Sequence, residues 1–439
     1  MASRMVVDKI ASGGIQRYHH SVINRFGEHE TLVDAVTNRP GFFGPNPVAY
    51  LSIMVRRPSS HPGDLEEALL NDRSLIRVSA FRASLFLIGT SDYPIYFRAL
   101  YPLLRSNSLN KLEQAGLSEN TLIKWGKILS EINFQMPASH EQVIAWLYPA
   151  KEKLPEIDLQ RLILRKLCDF GILIRIHAKG WKGNDFSYAL LKNWLSDLRL
   201  SHENPESART ETIRRYLKCY GPASVDDMAW WTGLPATQIS RSVSHLRREA
   251  VRIPLEGHKE EMYALRGCVD DMRKPPECEN HILFLPPWDP YPLAWHNRKR
   301  IIDRELADWV YDAIGNASGT IVENGRIVGV WQFRDSQTNV FELHIFEPYL
   351  SVRREILKQA EEHANTLATL SSATTVNLFE RPLPAKLTTR PLGSFLWPLG
   401  KELPFKSPDE RLMESPMERR TSNTFRGRYL DSEHVLRTE

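Results

Sequence analysis

Two stretches of this 439-residue chain set glutamine and arginine at helical spacing across from an apolar stripe. In one, Gln160, Arg161 and Arg165 lie opposite Leu159, Leu162, Ile163, Leu167 and Phe170. In the other, Gln238, Arg241, His245 and Arg248, with Arg247 beside them, lie opposite Ile239, Val243 and Leu246. Guanidinium and carboxamide groups on such faces reach phosphate oxygens and base edges. Downstream of the first stretch, Lys179, Trp181 and Lys182 share a glycine-containing turn. A basic turn tip with one aromatic has the chemistry to enter a minor groove or stack on an unpaired base. A solvated helix face carries the same residue types, so charge pattern alone leaves both readings open.

A further basic run, Arg298-Lys299-Arg300, follows the proline-rich segment Leu285-Pro286-Pro287-Trp288-Asp289-Pro290-Tyr291. Asp289 there reads as the cap of a structural corner, the alternative being a displayed site residue. Familiar catalytic templates are absent: the chain has no G-x-x-x-x-G-K-[ST], H-E-x-x-H or G-x-S-x-G. His19-His20 reads as a lone pair on a polar helix without ligand spacing, and Trp230-Trp231 as core. Cys168, Cys219, Cys268 and Cys278 form no C-x-x-C pair. Cys168 and Cys219 sit on apolar helix patterns that predict buried thiols, and the usage points to a reducing cytoplasm with neither a disulfide framework nor a zinc cluster.

The elements that must carry these faces repeat one order: helix, short turn, helix, two-stranded hairpin. In the clearest copy, Ser224 and Asp227 have capping-box spacing, Gly233 ends the first helix and Pro235 starts the second. Strands are expected over 251–255 and 262–265, turned at Gly257. In another copy Ser139 and Gln142 have the same capping spacing, a second helix starts near Asp158, and Gly171 stops it before strands at 172–178 and 186–191. A fainter copy has a helix over 64–70 and a hairpin over 74–79 and 84–88. This order is that of a winged helix, a DNA-reading unit. After Asn280 the pattern changes to strands at 282–285, 319–322, 326–333 and 340–346, then a helix at 352–368; Asn324-Gly325 signals a hairpin turn.

The fold class expected is therefore α+β: tandem winged-helix modules followed by a β-rich α+β domain. The expected boundaries are 1–115, 116–200, 208–268 and 279–403, with 404–439 a loosely held tail. The chain is 42% hydrophobic and 25% charged, enough for a sizeable core, and its net charge of +4 is compatible with a polyanionic partner without demanding one. No stretch reaches the ~18 consecutive apolar residues of a membrane helix, so no membrane partner is expected.

Four blocks carry a more specific signal. They are Arg77-Val78-Ser79-Ala80-Phe81-Arg82-Ala83-Ser84-Leu85-Phe86-Leu87 with Ser91-Asp92-Tyr93 downstream; Arg215-Tyr216-Leu217 through Tyr220-Gly221-Pro222-Ala223, Asp227, Ala229, Trp231 and Gly233-Leu234; the Leu285–Tyr291 segment; and Gly325-Arg326-Ile327-Val328-Gly329-Val330-Trp331. In the same order, they resemble motifs of the winged-helix crosslink-repair DNA glycosylases (AlkZ/YcaQ-like): R-T-W-x-M-R-G-T-L-H-L with a later E-D, the tyrosine-glycine-proline block, L-P-x-F-D-x-Y, and G-R-V-V-G-x-W. The resemblance implies winged-helix modules around a concave surface for double-stranded DNA, with Arg82, Arg298 and Arg300 joining the candidate contacts. It implies release of N-alkylated bases, including N7-adducts of guanine, and in some relatives the unhooking of interstrand crosslinks, without metal or cofactor. An alkylated base is already cationic and leaves readily, so the enzyme's task is to position water and stabilise an oxocarbenium-like sugar.

Relatives do this with a Gln-x-Gln or Gln-x-Asp motif after the first helical segment. Here the segment reads Gly41-Phe42-Phe43-Gly44-Pro45-Asn46-Pro47, and the motif positions fall among Phe42, Phe43, Gly44 and Pro45. None of these side chains holds water as an amide or carboxylate does. Asn46 is the polar side chain left in the segment and thus the catalytic candidate. Phe86 stands where the family's R-G-T-L-H has histidine. Two expectations follow: a divergent glycosylase with a displaced catalytic set, or a catalytically silent DNA-binding relative serving damage recognition or regulation. A third class, an interaction module without DNA, requires the basic faces to be merely solvated.

Overall fold

The computed structural model describes residues 11–24, 31–148, 154–177, 186–198, 204–277, 281–312, 315–334, 339–370 and 376–380. The turn carrying Lys179, Trp181 and Lys182, and the segment 404–439 expected as a tail, lie outside the described residues. The fold is mixed α+β: mostly helices, three small sheets, and a five-stranded sheet near the C-terminal end.

Local chemistry sets the helix starts. Ser139 and Gln142 form a reciprocal capping box ahead of the His140–Leu147 helix, as Ser224 and Asp227 do ahead of the Val225–Thr232 helix. Each box satisfies two backbone donors that a helix start otherwise leaves bare. Gly233, at φ +76°, ends the latter helix, and Pro235 precedes the Ala236–His245 helix.

The strands run in chain order as β1 (Phe42–Phe43), β2 (Leu75–Ser79), β3 (Leu85–Gly89), β4 (Leu173–His177), β5 (Phe186–Leu190), β6 (Ala250–Ile253), β7 (Met262–Leu265), β8 (Ile282–Leu285), β9 (Gly319–Glu323), β10 (Arg326–Arg334), β11 (Asn339–Ile345) and β12 (Val376–Glu380). The expected hairpins β2–β3, β4–β5 and β6–β7 are antiparallel pairs. Two additions were not foreseen: β1 pairs with β3, and β12 runs parallel to β11.

The two clearest units share a further detail. Ala138, just before the capping Ser139, exchanges both backbone hydrogen bonds with Tyr188 on β5, at 2.8 Å each. Ala223, just before Ser224, does the same with Tyr263 on β7, at 2.9 and 2.8 Å. The return strand of each hairpin is thereby tied to the start of its own first helix.

The units are fused by packing. One apolar cluster contains Phe81 and Phe86 from the first unit, Ile174 from the second, Tyr216 and Trp231 from the third, and Leu285, Trp295 and Val330 beyond. Trp231 lies at its centre, with the rings of Phe81, Phe86, Tyr216 and Tyr220 at 5.1 to 6.1 Å. The Pro205–Tyr220 helix packs along the Tyr93–Ser106 helix, and Asp92 receives Arg215 at 2.6 Å across that seam.

The helix of His19 and His20, expected to be polar, is packed into the interior. The Ser12–Asn24 helix buries Ile15 and Tyr18 against Ile253, Met262 and Met272, and carries both histidines into the interior. His19 Nε2 bonds the Gly221 carbonyl at 2.8 Å, and His20 Nδ1 accepts the Gly325 amide at 3.1 Å. Burial, with Arg300 nearby, pushes the His19 imidazole down to about 3. Among the described residues no helix is long and apolar enough to cross a membrane, and no group of acidic, cysteine and histidine side chains could hold a metal ion.

Candidate nucleic-acid interface and base-release site

The Ala236–His245 helix presents the face the sequence promised. Ile239, Val243 and Leu246 are buried, Arg241, His245 and Arg248 are exposed, and Gln238 is half-buried. Arg241 keeps 69% of its side chain in solvent, with Glu206 at 3.5 Å; the same carboxylate lies 4.0 Å from His245. A local acid thus tempers the face without closing it.

The Ile157–Asp169 helix does not repeat this arrangement. Arg161 remains half-exposed, 3.7 Å from Asp158, and Gln160 is tied to His140 and the Pro155 carbonyl. Arg165 is 2% exposed, which corrects its placement on an open DNA-facing surface. Its Nη2 donates to the Ala83 carbonyl at 2.6 Å. The physical reason is packing on two sides. One side of the helix buries Leu162, Ile163 and Leu167 with the 119–147 helices, and the other meets the β2–β3 unit. Lys166, equally buried, donates to the carbonyls of Leu104, Arg105 and Asn107 at the end of the Tyr93–Ser106 helix, where a cation suits the helix dipole. Burial lowers its pKa, and Asp169, 3.5 Å away, counteracts this.

Arg300 is also corrected. It is buried, donates to the Pro222 carbonyl at 2.5 Å and reaches Asp227 at 3.3 Å. Asp227 additionally accepts the amides of His296 and Asn297, so one capping carboxylate pins the 296–300 segment to the third unit. Asp289 behaves as a structural corner. It is buried, caps Tyr291 at 3.0 Å and forms a two-pronged pair with Arg56 at 2.6 and 2.7 Å.

Arg82 and Arg298 meet on Trp230. The guanidinium carbons lie 4.9 and 5.3 Å from the half-buried indole, and Arg298 also sits 3.7 Å over Tyr311. Arg298 donates to the Gly315 carbonyl at 3.1 Å, and burial lowers its pKa. Gly315, at φ +88°, is required there: a Cβ would stand 2.8 Å from Trp230 and 3.0 Å from Arg298. Of the adjacent tryptophans, then, Trp231 is core and Trp230 is a cation-stacking surface. Nothing in their shared sequence context separates them except a rotation of ~100° per helical residue.

The segment that replaces the relatives' water-holding motif is packed shut. Phe42 is buried opposite Leu87, and Phe43 stacks on Trp288 at 5.8 Å and meets Phe86 edge-on at 6.5 Å. Gly44 donates to the Leu85 carbonyl at 2.8 Å, and a Cβ on it would lie 3.0 Å from Leu85 and Phe86. Phe86, in the place of the family's histidine, belongs to the same aromatic group. Asn46 is buried, and its Oδ1 accepts Arg77 Nη2 at 2.7 Å. Burial brings Arg77 down to about 10 and pushes the neighbouring Tyr50 phenol up to about 12. The carbonyl of Asn46 is thus engaged in fixing a buried arginine.

Sequence reasoning missed a polar group nearby on the five-stranded sheet. Gln332 on β10 donates through Nε2 to Glu342 Oε2 on β11 at 2.9 Å, and His344 Nε2 lies 3.5 Å from Glu342 Oε1. All three are more than nine-tenths buried. The available signal was parity: these residues alternate with Trp331, Phe333, Phe341 and Leu343 in strands whose other face is apolar core.

Helix–helix–hairpin units joined to a five-stranded sheet, with basic side chains at their surface, define a class rather than an activity. The family described as DNA glycosylase AlkZ-like matches residues 43–367, and the chain belongs to that family. An interstrand DNA cross-link repair glycosylase of Streptomyces sahachiroi is 24% identical over 216 residues, which make up 48% of this chain and 54% of that protein. The chain thus spans about half the length of the curated relative it matches. The solved structure of Streptomyces sahachiroi DNA glycosylase AlkZ is similar in fold, with a TM-score of 0.68 at 19% identity, over 85% of this chain and 100% of that one.

Proposed function

We propose that this protein binds double-stranded DNA through tandem winged-helix modules and excises N-alkylated bases by water attack at the glycosidic bond. The observation that carries the reading is the open face of the Ala236–His245 helix in a chain of a DNA glycosylase family. Its bound set is Gln238, Arg241, His245 and Arg248, with Arg161 on the second unit and the Arg82–Trp230–Arg298 stack as further contacts. Guanidiniums stacked on an indole are held pre-organised.

A second reading is favoured by the closed Phe42–Pro45 segment and the engaged carbonyl of Asn46: a catalytically silent DNA-binding relative. Single-turnover incubation with duplex DNA bearing one N7-methylguanine separates the two. Free base above a no-protein control is expected. Tight DNA binding without release, on this lesion and on bulkier adducts, would leave the silent binder standing. Absence of duplex binding at low salt would remove both.

A further inference from the structure

We propose that Gln332 is the water-positioning amide of base release and that Glu342 fixes its orientation, together replacing the motif the Phe42–Pro45 segment lacks. This rests on the glycosylase reading above. Three observations converge on it.

The first is place. Gln332 lines a recess whose other walls include Pro47, Val48 and Pro287. Pro47 and Val48 lie two and three residues past the motif positions, and Pro287 adjoins Trp288, on which Phe43 stacks. Leu51, Trp331 and Phe333 complete the lining, so this stretch of β10 stands close to the segment in which relatives hold their water.

The second is orientation. Gln332 Nε2 donates to Glu342 Oε2 at 2.9 Å. With its NH₂ end donating to Glu342, the amide cannot flip without losing that bond, which leaves its carbonyl oxygen as the acceptor. An acceptor is what an attacking water needs to be aimed.

The third is surplus polarity. Gln332 pairs with Glu342 across the sheet, and Thr320, Val330 and His344 form the adjoining row on the same face. Thr320 Oγ1 and His344 Nδ1 are buried without a hydrogen-bond partner, and His344 Nε2 has only the 3.5 Å approach to Glu342. A sheet that needed only a core would fill this face with apolar side chains, as its opposite face does. Unsatisfied buried groups beside a hydrogen-bonded amide mark a place where another polar species fits.

In the step proposed, a water held by Gln332 Oε1 forms the O–C1′ bond while the C1′–N9 bond breaks. The bonding pair goes to the cationic N7-alkylguanine, which leaves neutral, and the water's extra proton passes to solvent. Glu342 holds the amide in place, so the acceptor stays aimed while the sugar becomes oxocarbenium-like.

The test is single-turnover release from N7-methylguanine duplex by the full chain, with DNA affinity and thermal midpoint measured alongside. Gln332→Met keeps the side-chain volume and removes the acceptor. It should slow release at least ~100-fold while DNA affinity stays within about twofold. Glu342→Gln, which permits the amide to flip, should slow release about tenfold with the same affinity. Release at wild-type rate by folded Gln332→Met or, should that variant not fold, by folded Glu342→Gln overturns this assignment and leaves the glycosylase reading intact. No release by the wild-type protein on any adduct overturns both.

Discussion

The Ala236–His245 and Ile157–Asp169 helices are written in nearly the same code, yet one faces solvent and the other does not. Each places cations opposite an apolar stripe. In the first, Arg241 is largely exposed; in the second, Arg165 and Lys166 are buried and spend their donors on backbone carbonyls. The difference lies in what the rest of the chain brings. The second helix is packed on both sides, and the β2–β3 turn and the end of the Tyr93–Ser106 helix offer carbonyls where solvent was expected. A charged face states which groups need partners, and only the tertiary fold decides whether those partners are phosphate, water or peptide.

The largest effect should come from the buried cation. Lys166→Met leaves Asp169 buried without its counter-charge and three carbonyls without their donor. A loss of roughly 3–5 kcal/mol in urea unfolding is expected. Adding Asp169→Leu should return much of it, because the pair then goes out together. Arg241→Ala, on the exposed helix, should stay within about 0.5 kcal/mol of wild type. Equal losses in the two single variants would break the contrast.

A smaller effect comes from a second buried group, one that the sequence set on a polar helix. His19 titrates at about 3 in the folded protein, against ~6.5 for an unfolded chain. Between those values the unfolded state binds a proton that the folded state does not, so stability falls as pH drops through this window. The slope attributable to His19 is at most about 1.4 kcal/mol per pH unit. Urea midpoints from pH 7 to 4 should show a shallower decline in His19→Asn than in wild type. Parallel curves would mean that the ring is protonated in the fold.

How far the sequence could be read follows from the range of the chemistry. Capping boxes at Ser139 and Ser224 act over three residues, and each hairpin closes within 18, so both were legible. The β1–β3 pairing joins Phe42 to Leu87, and no local pattern announces it. The Ser12–Asn24 helix looked polar because its histidines pair with Gly221 and Gly325, about 200 and 300 residues away. At the site, the missing motif was plain in Phe42 to Pro45. That Asn46 would be occupied by Arg77, and that Gln332 would stand beside Pro47, required the fold.

The finest test of the contrast is DNA binding itself. If the exposed helix meets phosphate, Arg241→Ala with Arg248→Ala should weaken duplex affinity about tenfold near ~100 mM salt and flatten the log–log salt dependence by roughly 0.9 per lost contact. Glu206→Gln, by freeing Arg241 and His245 from the nearby carboxylate, should raise affinity about twofold. Fluorescence anisotropy across a salt series measures both. A double variant with unchanged slope would mean that this face is merely solvated, and would move the search for the interface to Arg161 and the Arg82–Trp230–Arg298 stack.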